Sequence, residues 1–206
     1  MNITIIGTGN VGGALATAFK KAGHTVILGV RNPAGPFKGK ELADRLSLPV
    51  LGIREAINKS EVIVLATPAP MAAEVAKSLG DVHEKVIIDT MNAVFTKPEG
   101  FNNTGEAILA NCNCTDVVKC FNTTGFENML NPVYNGEGID MFVAGSSEKG
   151  KKIAMQLSKD IGFSHCWDFG GNDKFTLIEQ MAGCWINLAI IQKHGRGMAF
   201  RVVKRE

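Results

Sequence analysis

Short apolar runs alternate along this chain with stretches whose apolar residues recur at helical spacing. Runs rich in Val and Ile are typical of strands that a parallel sheet buries on both faces. Between the first two runs, apolar residues recur at helical spacing from Val11 to Ala22, and Gly23 is suited to end a helix. The alternation predicts an α/β fold of the Rossmann type, with a doubly wound and mostly parallel sheet.

The same pattern locates the individual elements. Strands are predicted at residues 2–6, 25–29, 49–51, 61–66, 85–89, 116–121, 140–144 and 164–168. Helices are predicted at residues 11–22, 71–79, 106–110 and 148–161. No internal repeat and no long linker divides the chain, so we expect residues 1–206 to form a single domain.

The C-terminal region has a pattern of its own. Residues 173–192 are strongly apolar, but polar side chains interrupt them. The interruptions are Lys174, Glu179, Gln180, Asn187 and Gln192. Such a pattern is typical of a helix buried in protein or at a subunit contact, and not of a helix in lipid. We therefore expect a C-terminal helical segment, at about 170–206, that packs on the domain or forms the interface of a homodimer.

Composition excludes several classes of protein. The chain has 206 residues, 45% hydrophobic and 20% charged, so it can bury a substantial core and is not disordered. No uninterrupted apolar run reaches about 18 residues, so we expect no membrane span. An apolar strand is predicted directly after Met1, without a secretory leader, and the five cysteines lack regular spacing; both favour a cytoplasmic protein. Cys112 and Cys114 lack the further ligands that zinc needs, and we expect no metal.

Charge is unevenly distributed along the chain. The first forty residues contain five basic residues and no Asp or Glu, whereas the whole chain has 22 Lys and Arg against 20 Asp and Glu. A nucleic-acid surface would need a basic stripe with aromatic residues along it. A local positive excess instead favours a bound phosphate group, so the expected partner is a small molecule and not a nucleic acid.

A glycine motif follows the first predicted strand and opens the first predicted helix. In this motif Gly7 allows a tight turn, Gly9 lets the backbone approach a pyrophosphate, and Gly12 lets the helix pack on the strand. The pyrophosphate would then lie at the helix N-terminus, where free N–H groups favour an anion. The predicted phosphate-binding residues are Gly7, Thr8, Gly9, Asn10, Val11 and Gly12. A glycine-rich turn without a ligand is the alternative.

The sequence position that distinguishes NAD-binding from NADP-binding proteins holds no Asp or Glu in this chain. About 20 residues after such glycines, a carboxylate usually binds the ribose 2′-hydroxyl of NAD. Here the chain reads Gly-Val followed by Arg31 and Asn32. The planar fork of an Arg side chain fits a 2′-phosphate, and Lys38 is close enough in sequence to add a second charge. The sequence therefore predicts NADP(H), with a solvated Arg31 as the alternative.

Three further segments follow predicted strands. Ligands of a doubly wound sheet bind beyond the carboxyl ends of its strands, near the point where the strand order reverses. We expect the segment at 66–68 to line the adenosine half of the cofactor, and those at 91–93 and 122–123 to line the nicotinamide and the hydride acceptor. The expected residues are Ala66, Thr67, Pro68, Met91, Asn92 and Ala93 for the cofactor, and Asn122 and Thr123 for the acceptor pocket. Asn at a strand end can also be a simple turn former.

No residue is predicted to act as a catalytic acid or base. Lys174 and Lys193 lack the Asn four residues later that hydroxyacid dehydrogenases use, and Tyr134 lacks the Lys four residues later of short-chain dehydrogenases. Direct hydride transfer between two stacked rings needs no such residue, because positioning supplies most of the effect.

The chain resembles the family of NADPH-dependent reductases of the deazaflavin coenzyme F420, which is similar to the oxidoreductase domain of membrane ferric reductases. The resemblance extends over nearly the whole chain. The segments that carry it are I-I-G-T-G-N-V-G-G-A-L, G-V-R-N, V-I-V-L-A-T-P, V-I-I-D-T-M-N-A-V, V-V-K-C-F-N-T-T-G, F-V-A-G-S and L-I-E-Q-M-A-G-C-W-I-N-L-A. Ala93 departs from the pattern, since family members often have Pro there.

The resemblance implies an NADP(H)-dependent oxidoreductase that passes a hydride to a deazaflavin. It implies that NADP(H) is bound by Thr8, Asn10, Arg31 and Asn32, and that a flavin-like ring lies near Asn92, Asn122 and Thr123. Two alternatives remain open: an NADPH-dependent reductase of a flavin or of ferric ion, and an NADP(H)-sensing protein without catalysis. An imine reductase is disfavoured as an alternative, because 206 residues leave no room for a large helical second domain.

Overall fold

The computed structural model describes residues 1–205. Its strands are β1 (Asn2–Ile6), β2 (Thr25–Val30), β3 (Val50–Gly52), β4 (Val62–Leu65), β5 (Val86–Asp89), β6 (Val117–Cys120), β7 (Val133–Tyr134), β8 (Glu137–Gly138), β9 (Asp140–Ala144) and β10 (His165–Asp168). Its α-helices are α1 (Asn10–Lys21), α2 (Lys40–Leu46), α3 (Ile53–Asn58), α4 (Ala72–Ser78), α5 (Thr104–Asn111), α6 (Phe126–Leu130), α7 (Glu148–Asp160) and α8 (Phe175–Ile186).

Eight strands form one twisted sheet in the order β10-β9-β6-β5-β4-β1-β2-β3. The strand order reverses between β1 and β4, as in a doubly wound sheet. All neighbours are parallel except β6 and β9, which pair antiparallel. Only α6 and the small β7–β8 hairpin lie between these two strands, and no long crossover helix returns the chain to the starting edge. The predicted Rossmann-type α/β fold is confirmed.

Helices cover both faces of the sheet. On one face, Leu15 of α1 and Leu157 of α7 join Ile5 of β1 in a large buried cluster. On the other face, Ala76 of α4 and Ile108 of α5 pack against the opposite side of β4, β5 and β6. The strands are therefore buried on both sides, which is why their sequences are almost continuously apolar.

The C-terminal segment packs on the second of these faces. Phe175 and Ile178 of α8 contact Phe142 and Ala144 of β9. The helix predicted at 173–192 is divided into a 3₁₀ turn (Asn172–Lys174), α8 and a π-helical turn (Asn187–Ile191). A 3₁₀ turn (Ala69–Met71) likewise precedes α4 within the helix predicted at 71–79.

Several short elements are not predicted by the apolar pattern. These are α2, α3, α6 and the β7–β8 hairpin, none longer than the seven residues of α2. A helix of one or two turns shows too little periodicity to detect and is stabilised mainly by its tertiary contacts. Within residues 1–205, no helix is long and apolar enough to span a membrane.

Candidate functional site

The carboxyl ends of five neighbouring strands lie in one row across the sheet. The row runs through Gly29, Ile6, Leu65, Asp89 and Lys119, each paired with the next. Every predicted site segment leaves the sheet just beyond this row. The structure therefore brings all the predicted segments to one edge, on both sides of the point where the strand order reverses.

Burial changes along this edge from the glycine turn towards β6. Asn10, Arg31, Asn32, Lys38 and Pro68 are exposed. Gly7, Thr8, Gly9, Val11, Ala66, Thr67 and Asn92 are half-buried. Gly12, Met91, Ala93, Asn122 and Thr123 are buried. The residues predicted for phosphate groups are thus the more exposed, and those predicted for the rings are the more buried.

The backbone of the glycine turn requires two of its three glycines. Gly7 has φ of +100°, and a Cβ there would lie 2.4 Å from the carbonyl oxygen of Ala66. A Cβ on Gly12 would lie 1.8 Å from the carbonyl oxygen of Gly7. A Cβ on Gly9 would meet no atom within 4 Å, so this glycine faces open space. The turn is therefore closed against β4 and α1 and open on the side where a pyrophosphate would approach.

The N-terminus of α1 points its backbone donors at this open space. Gly9 is the N-cap residue, no side chain caps the helix, and the first turn contains no acid. The free N–H groups at the start of a helix carry a partial positive charge. Lys20 and Lys21 in the last turn complement the other end of the dipole. This geometry fits a bound anion.

The loop after β2 folds over the glycine turn. The Thr8 hydroxyl donates a hydrogen bond to the carbonyl oxygen of Lys38. Gly39, with φ of +91°, lies against Thr8, since a Cβ there would be 2.8 Å from the Thr8 carbonyl oxygen. Across residues 1–205, neither Arg31 nor Lys38 forms an ion pair with a carboxylate. Both cations remain available to an anionic group.

Two asparagines link the loops that follow β5 and β6. Asn92 Nδ2 donates to the carbonyl oxygen of Asn122 at 2.8 Å, and Asn122 Nδ2 donates to Asn92 Oδ1 at 2.9 Å. Asn122 Oδ1 is buried without a hydrogen-bond donor among the described residues. Thr67 after β4 contacts the same region, because its hydroxyl lies 3.2 Å from Met91 Sδ. The predicted ring-binding segments are therefore in mutual contact.

The loop after β6 begins with a strained residue. Phe121 has φ of +58°, a left-handed conformation that bulky side chains rarely adopt. Its ring is fully buried and packs against Phe19 and Phe163 at centroid distances of 5.7 and 6.4 Å. Such strain persists only where the surrounding packing imposes it, and it is found preferentially at functional sites.

A buried charge cluster lies beneath the loop 90–93. Lys119 Nζ is 2.6 Å from Asp89 Oδ2 and 2.8 Å from Glu179 Oε1, and both side-chain pairs are almost completely buried. Lys119 also donates to the Thr104 hydroxyl and to the carbonyl oxygen of Met91. Burial raises the pKa of Asp89, although Lys119 and Thr104 oppose this by stabilising the carboxylate.

None of these clustered side chains is among the predicted site residues, although the quoted motifs contain the three charged ones. Asp89 and Lys119 come at or near the ends of strands that are otherwise apolar, and Glu179 interrupts an apolar helix. An ionisable residue in such a position is rarely buried unless it has a partner. That signal indicates burial, but it does not identify the partner.

Cys112 and Cys114 are half-buried and buried free thiols. Burial raises the pKa of Cys114 to about 11. Within residues 1–205, no group of three or more His, Cys, Asp or Glu side chains could hold a metal ion.

Comparison with known proteins gives relatives of matching length. Residues 2–93 match the family described as NADP oxidoreductase, coenzyme F420-dependent. The F420-dependent NADP reductase of Methanocaldococcus jannaschii is 23% identical, with all of both chains covered. That of Methanothermobacter thermautotrophicus is 27% identical over 92% of this chain and 90% of its own.

A solved structure has the same fold over the whole chain. It is a protein of Arthrobacter sp. FB24 assigned as an F420-dependent NADP reductase. The match has a TM-score of 0.86 at 22% identity and covers 99% of this chain and 100% of the other. At this level of identity, the match shows a shared fold.

Proposed function

We propose that this chain belongs to the family of coenzyme F420-dependent NADP oxidoreductases and passes a hydride between NADPH and a deazaflavin or flavin-type acceptor. Both archaeal relatives match it over at least 90% of their own length, and each is named as an F420-dependent NADP reductase. The proposed acceptor is coenzyme F420, and a flavin such as FMN or FAD is the other member of the same chemical class.

One observation carries the cofactor assignment. The glycine turn is open at Gly9, and the loop that folds over it presents Arg31 and Lys38 without an acidic partner among the described residues. The pyrophosphate would lie on the α1 N-terminus. The 2′-phosphate of NADP(H) would lie between the two cations, with Arg31 able to bind it through two parallel hydrogen bonds.

The remaining predicted residues receive roles in the same proposal. Ala66, Thr67 and Pro68 line the cofactor beyond β4, and Met91, Asn92 and Ala93 line the nicotinamide. Asn122 and Thr123 belong to the acceptor pocket. No side chain in this proposal acts as a general acid or base. The chain would accelerate the transfer by holding two rings in contact and excluding water from between them.

The outer face of α8 supports the proposal of a homodimer. Leu177 and Ile191 are 48% and 55% exposed, on a face that continues into the π-helical turn. A shallow groove of about 530 Å³ follows this face. Its lining is Val94, Gln180, Gly183, Cys184, Asn187 and Leu188. An apolar helix face of this kind fits a second copy of the same face across a two-fold axis.

Sedimentation velocity tests the dimer. Wild-type protein is expected at twice the chain mass of 22.1 kDa. The double variant Leu177→Glu, Ile191→Glu is expected at the monomer mass. A two-fold contact would bring the new negative charges of the two copies together, and they would repel each other. Val203→Glu changes an apolar residue that is 86% exposed outside α8 and serves as the control. A wild-type monomer at micromolar concentration would exclude the dimer.

The proposal also covers organisation and location. We propose that residues 1–206 form one NADP-binding domain, because a single eight-stranded sheet includes both the first strand, β1, and the last strand, β10, and α8 packs on β9. We propose a cytoplasmic location, supported by the five cysteines, all of which are free thiols. The proposed partner is a small molecule and not a nucleic acid.

An acceptor screen tests the reaction. Purified protein is mixed with NADPH and, in separate assays, with coenzyme F420, FMN, FAD and a ferric chelate, and NADPH oxidation is followed by absorbance. The proposal expects the fastest turnover with F420. Fast turnover with a flavin or the ferric chelate instead would identify a flavin or ferric reductase. Tight NADPH binding without turnover of any acceptor would identify an NADP(H) sensor.

A further inference from the structure

We infer that Glu179 on α8, acting with Lys119 and Asp89, is the positioning residue that fixes the loop 90–93 and, through the hydrogen bonds between Asn92 and Asn122, the geometry of the acceptor pocket. The inference rests on the proposed function, because it takes the loop 90–93 to line the nicotinamide and Asn122 to lie in the acceptor pocket beside it. None of the three side chains is placed in contact with the transferred hydride. They act through the backbone of the loop and through Asn92.

The contacts of Lys119 define the centre of the cluster. Its ammonium group has three protons and four oxygen atoms within 2.8 Å. The four atoms are Asp89 Oδ2, Glu179 Oε1, the Thr104 hydroxyl oxygen and the Met91 carbonyl oxygen. These groups come from β5, α8, α5 and the loop after β5. One side chain therefore ties four separate segments together.

The two carboxylates also accept hydrogen bonds from the backbone of this loop. Met91 N donates to Asp89 Oδ1 at 2.9 Å, and Ala93 N donates to Glu179 Oε2 at 3.2 Å. The Met91 carbonyl oxygen accepts a further hydrogen bond from Lys119, so three backbone groups of the loop are hydrogen-bonded to the cluster. Asn92 lies between the two bound amides, and its side chain is directed to Asn122. The cluster therefore determines where Asn92 is held.

Stability alone does not account for a cluster of this kind. Moving charges out of water costs several kcal/mol for each ion, and well-packed apolar residues are often as good or better. Here the one ammonium group faces two carboxylates, so the charges do not balance while both are ionised. A costly network directly beneath a ligand-facing loop is explained by preorganisation of that loop.

Glu179 is the informative residue to change because it reaches the loop from a different element. In Glu179→Gln the side chain keeps its length but replaces one acceptor oxygen by an NH₂ donor. That donor would face an N–H group, either of Ala93 or of Thr104. The matched control is Lys151→Met, which removes a mostly buried lysine of α7 from its ion pairs with the exposed carboxylates of Glu148 and Asp168. In the sheet, the strand of Asp168 is separated from β5 by β9 and β6.

The test measures the loop and the ligands separately. Deuterium exchange of peptides that contain Met91 and Ala93 reports the loop without any ligand. Titration with NADPH reports mainly the phosphate groups, where the proposal places the charged contacts, and steady-state kinetics with F420 report the acceptor side. For Glu179→Gln we expect faster exchange in the loop, an F420 KM raised about tenfold and an NADPH Kd within about twofold of wild type. Lys151→Met should change none of the three.

A milder pair of variants is used if Glu179→Gln does not fold. Thr104→Val removes the hydroxyl that Lys119 and Asp89 share, whereas Thr104→Ser retains it. The inference expects the F420 KM to rise in the Val variant and to return towards wild type in the Ser variant. Equal effects of Val and Ser would overturn it.

The possible failures can be told apart. Unchanged loop exchange in Glu179→Gln, or faster exchange with an unchanged F420 KM, overturns the inference while the proposed function stands. An NADPH Kd that rises as much as the F420 KM also overturns it, because the effect would then be a general loss of structure. Wild-type protein that does not oxidise NADPH with F420 contradicts the proposed acceptor, and this is seen before any variant is made.

Discussion

The two halves of the ligand edge are built in opposite ways. Around the glycine turn, Arg31 and Lys38 are exposed and have no acidic partner among the described residues. At the loop 90–93, the charged residues are almost fully buried and lie in contact with one another. The first half offers free backbone donors and exposed cations, whereas the charged groups of the second half are already paired with one another.

This difference corresponds to what each half would bind. A phosphate group is strongly charged, and donors at a helix N-terminus with flexible cations suit it without exact placement of every atom. A hydride passes between two rings only over a short distance, so its site benefits from rigid support. The comparison can be tested by changing one half and asking whether the other responds.

The largest effect is expected for Gly12→Ala. Its Cβ would lie 1.8 Å from the Gly7 carbonyl oxygen, so the turn must move. Overpacking of this kind costs about 1–3 kcal/mol. Since 1.4 kcal/mol is a factor of ten, we expect the Kd for NADPH, measured by titration, to rise by about a hundredfold. The loop 90–93 should keep its exchange protection if the two halves are independent.

A glycine one residue further along α1 provides the control. A Cβ on Gly13 meets only Leu42 Cδ2 at 3.0 Å, and that atom is the end of a flexible side chain. Gly13→Ala should therefore bind NADPH nearly as wild type does. Similar losses in both variants would show that any added methyl group on this helix disturbs the turn.

The next largest effect is expected for Arg31→Ala. Loss of the guanidinium group removes a charge-assisted contact to the 2′-phosphate, which NADH lacks. Wild-type protein should bind NADPH at least tenfold more tightly than NADH, a difference of about 1.4 kcal/mol, and the variant should lose most of that difference. The measurement is the dissociation constant of NADPH and of NADH, for the wild type and for the variant. Equal affinities in the wild type would refute the assignment of Arg31.

The smallest effect concerns the pH dependence of stability. Because burial raises the pKa of Asp89 in the folded protein, its contribution to stability is complete below the unfolded pKa of about 3.9 and is lost as the pH rises through the folded value. Urea unfolding followed upward from about pH 4 should show the unfolding free energy of wild type falling with pH relative to Asp89→Asn. The opposite slope would mean that Lys119 outweighs burial.

The sequence predicts the glycine turn and the loop with Arg31 directly, because the evidence for both is local. The glycine turn occupies six residues, and the loop with Arg31 follows the next strand along the chain. Each strand was also recognisable, since burial on both faces makes it almost wholly apolar. The antiparallel placement of β9 was not predicted, because the turn that reverses the chain consists of elements too short to show a period.

The acceptor half could be predicted only in outline. The sequence predicts that Asn92 and Asn122 follow two consecutive strands of the chain, and the structure joins them by two hydrogen bonds. The cluster below them combines residues 89, 104, 119 and 179, which are far apart in the chain. No local pattern identifies such partners, since their contacts exist only when the sheet, α5 and α8 are assembled.

The bond from Thr8 to Lys38 has a consequence for redesign. An engineer who wished to convert the chain to NADH would begin by replacing Arg31 with an acid. The Thr8 hydroxyl would still hold the Lys38 backbone beside the glycine turn, so that the lysine remained near the ribose. Under the proposed role of Arg31, cofactor preference would depend on a loop anchored at its far end as well as on one side chain, and conversion would require reshaping the loop from 31 to 39.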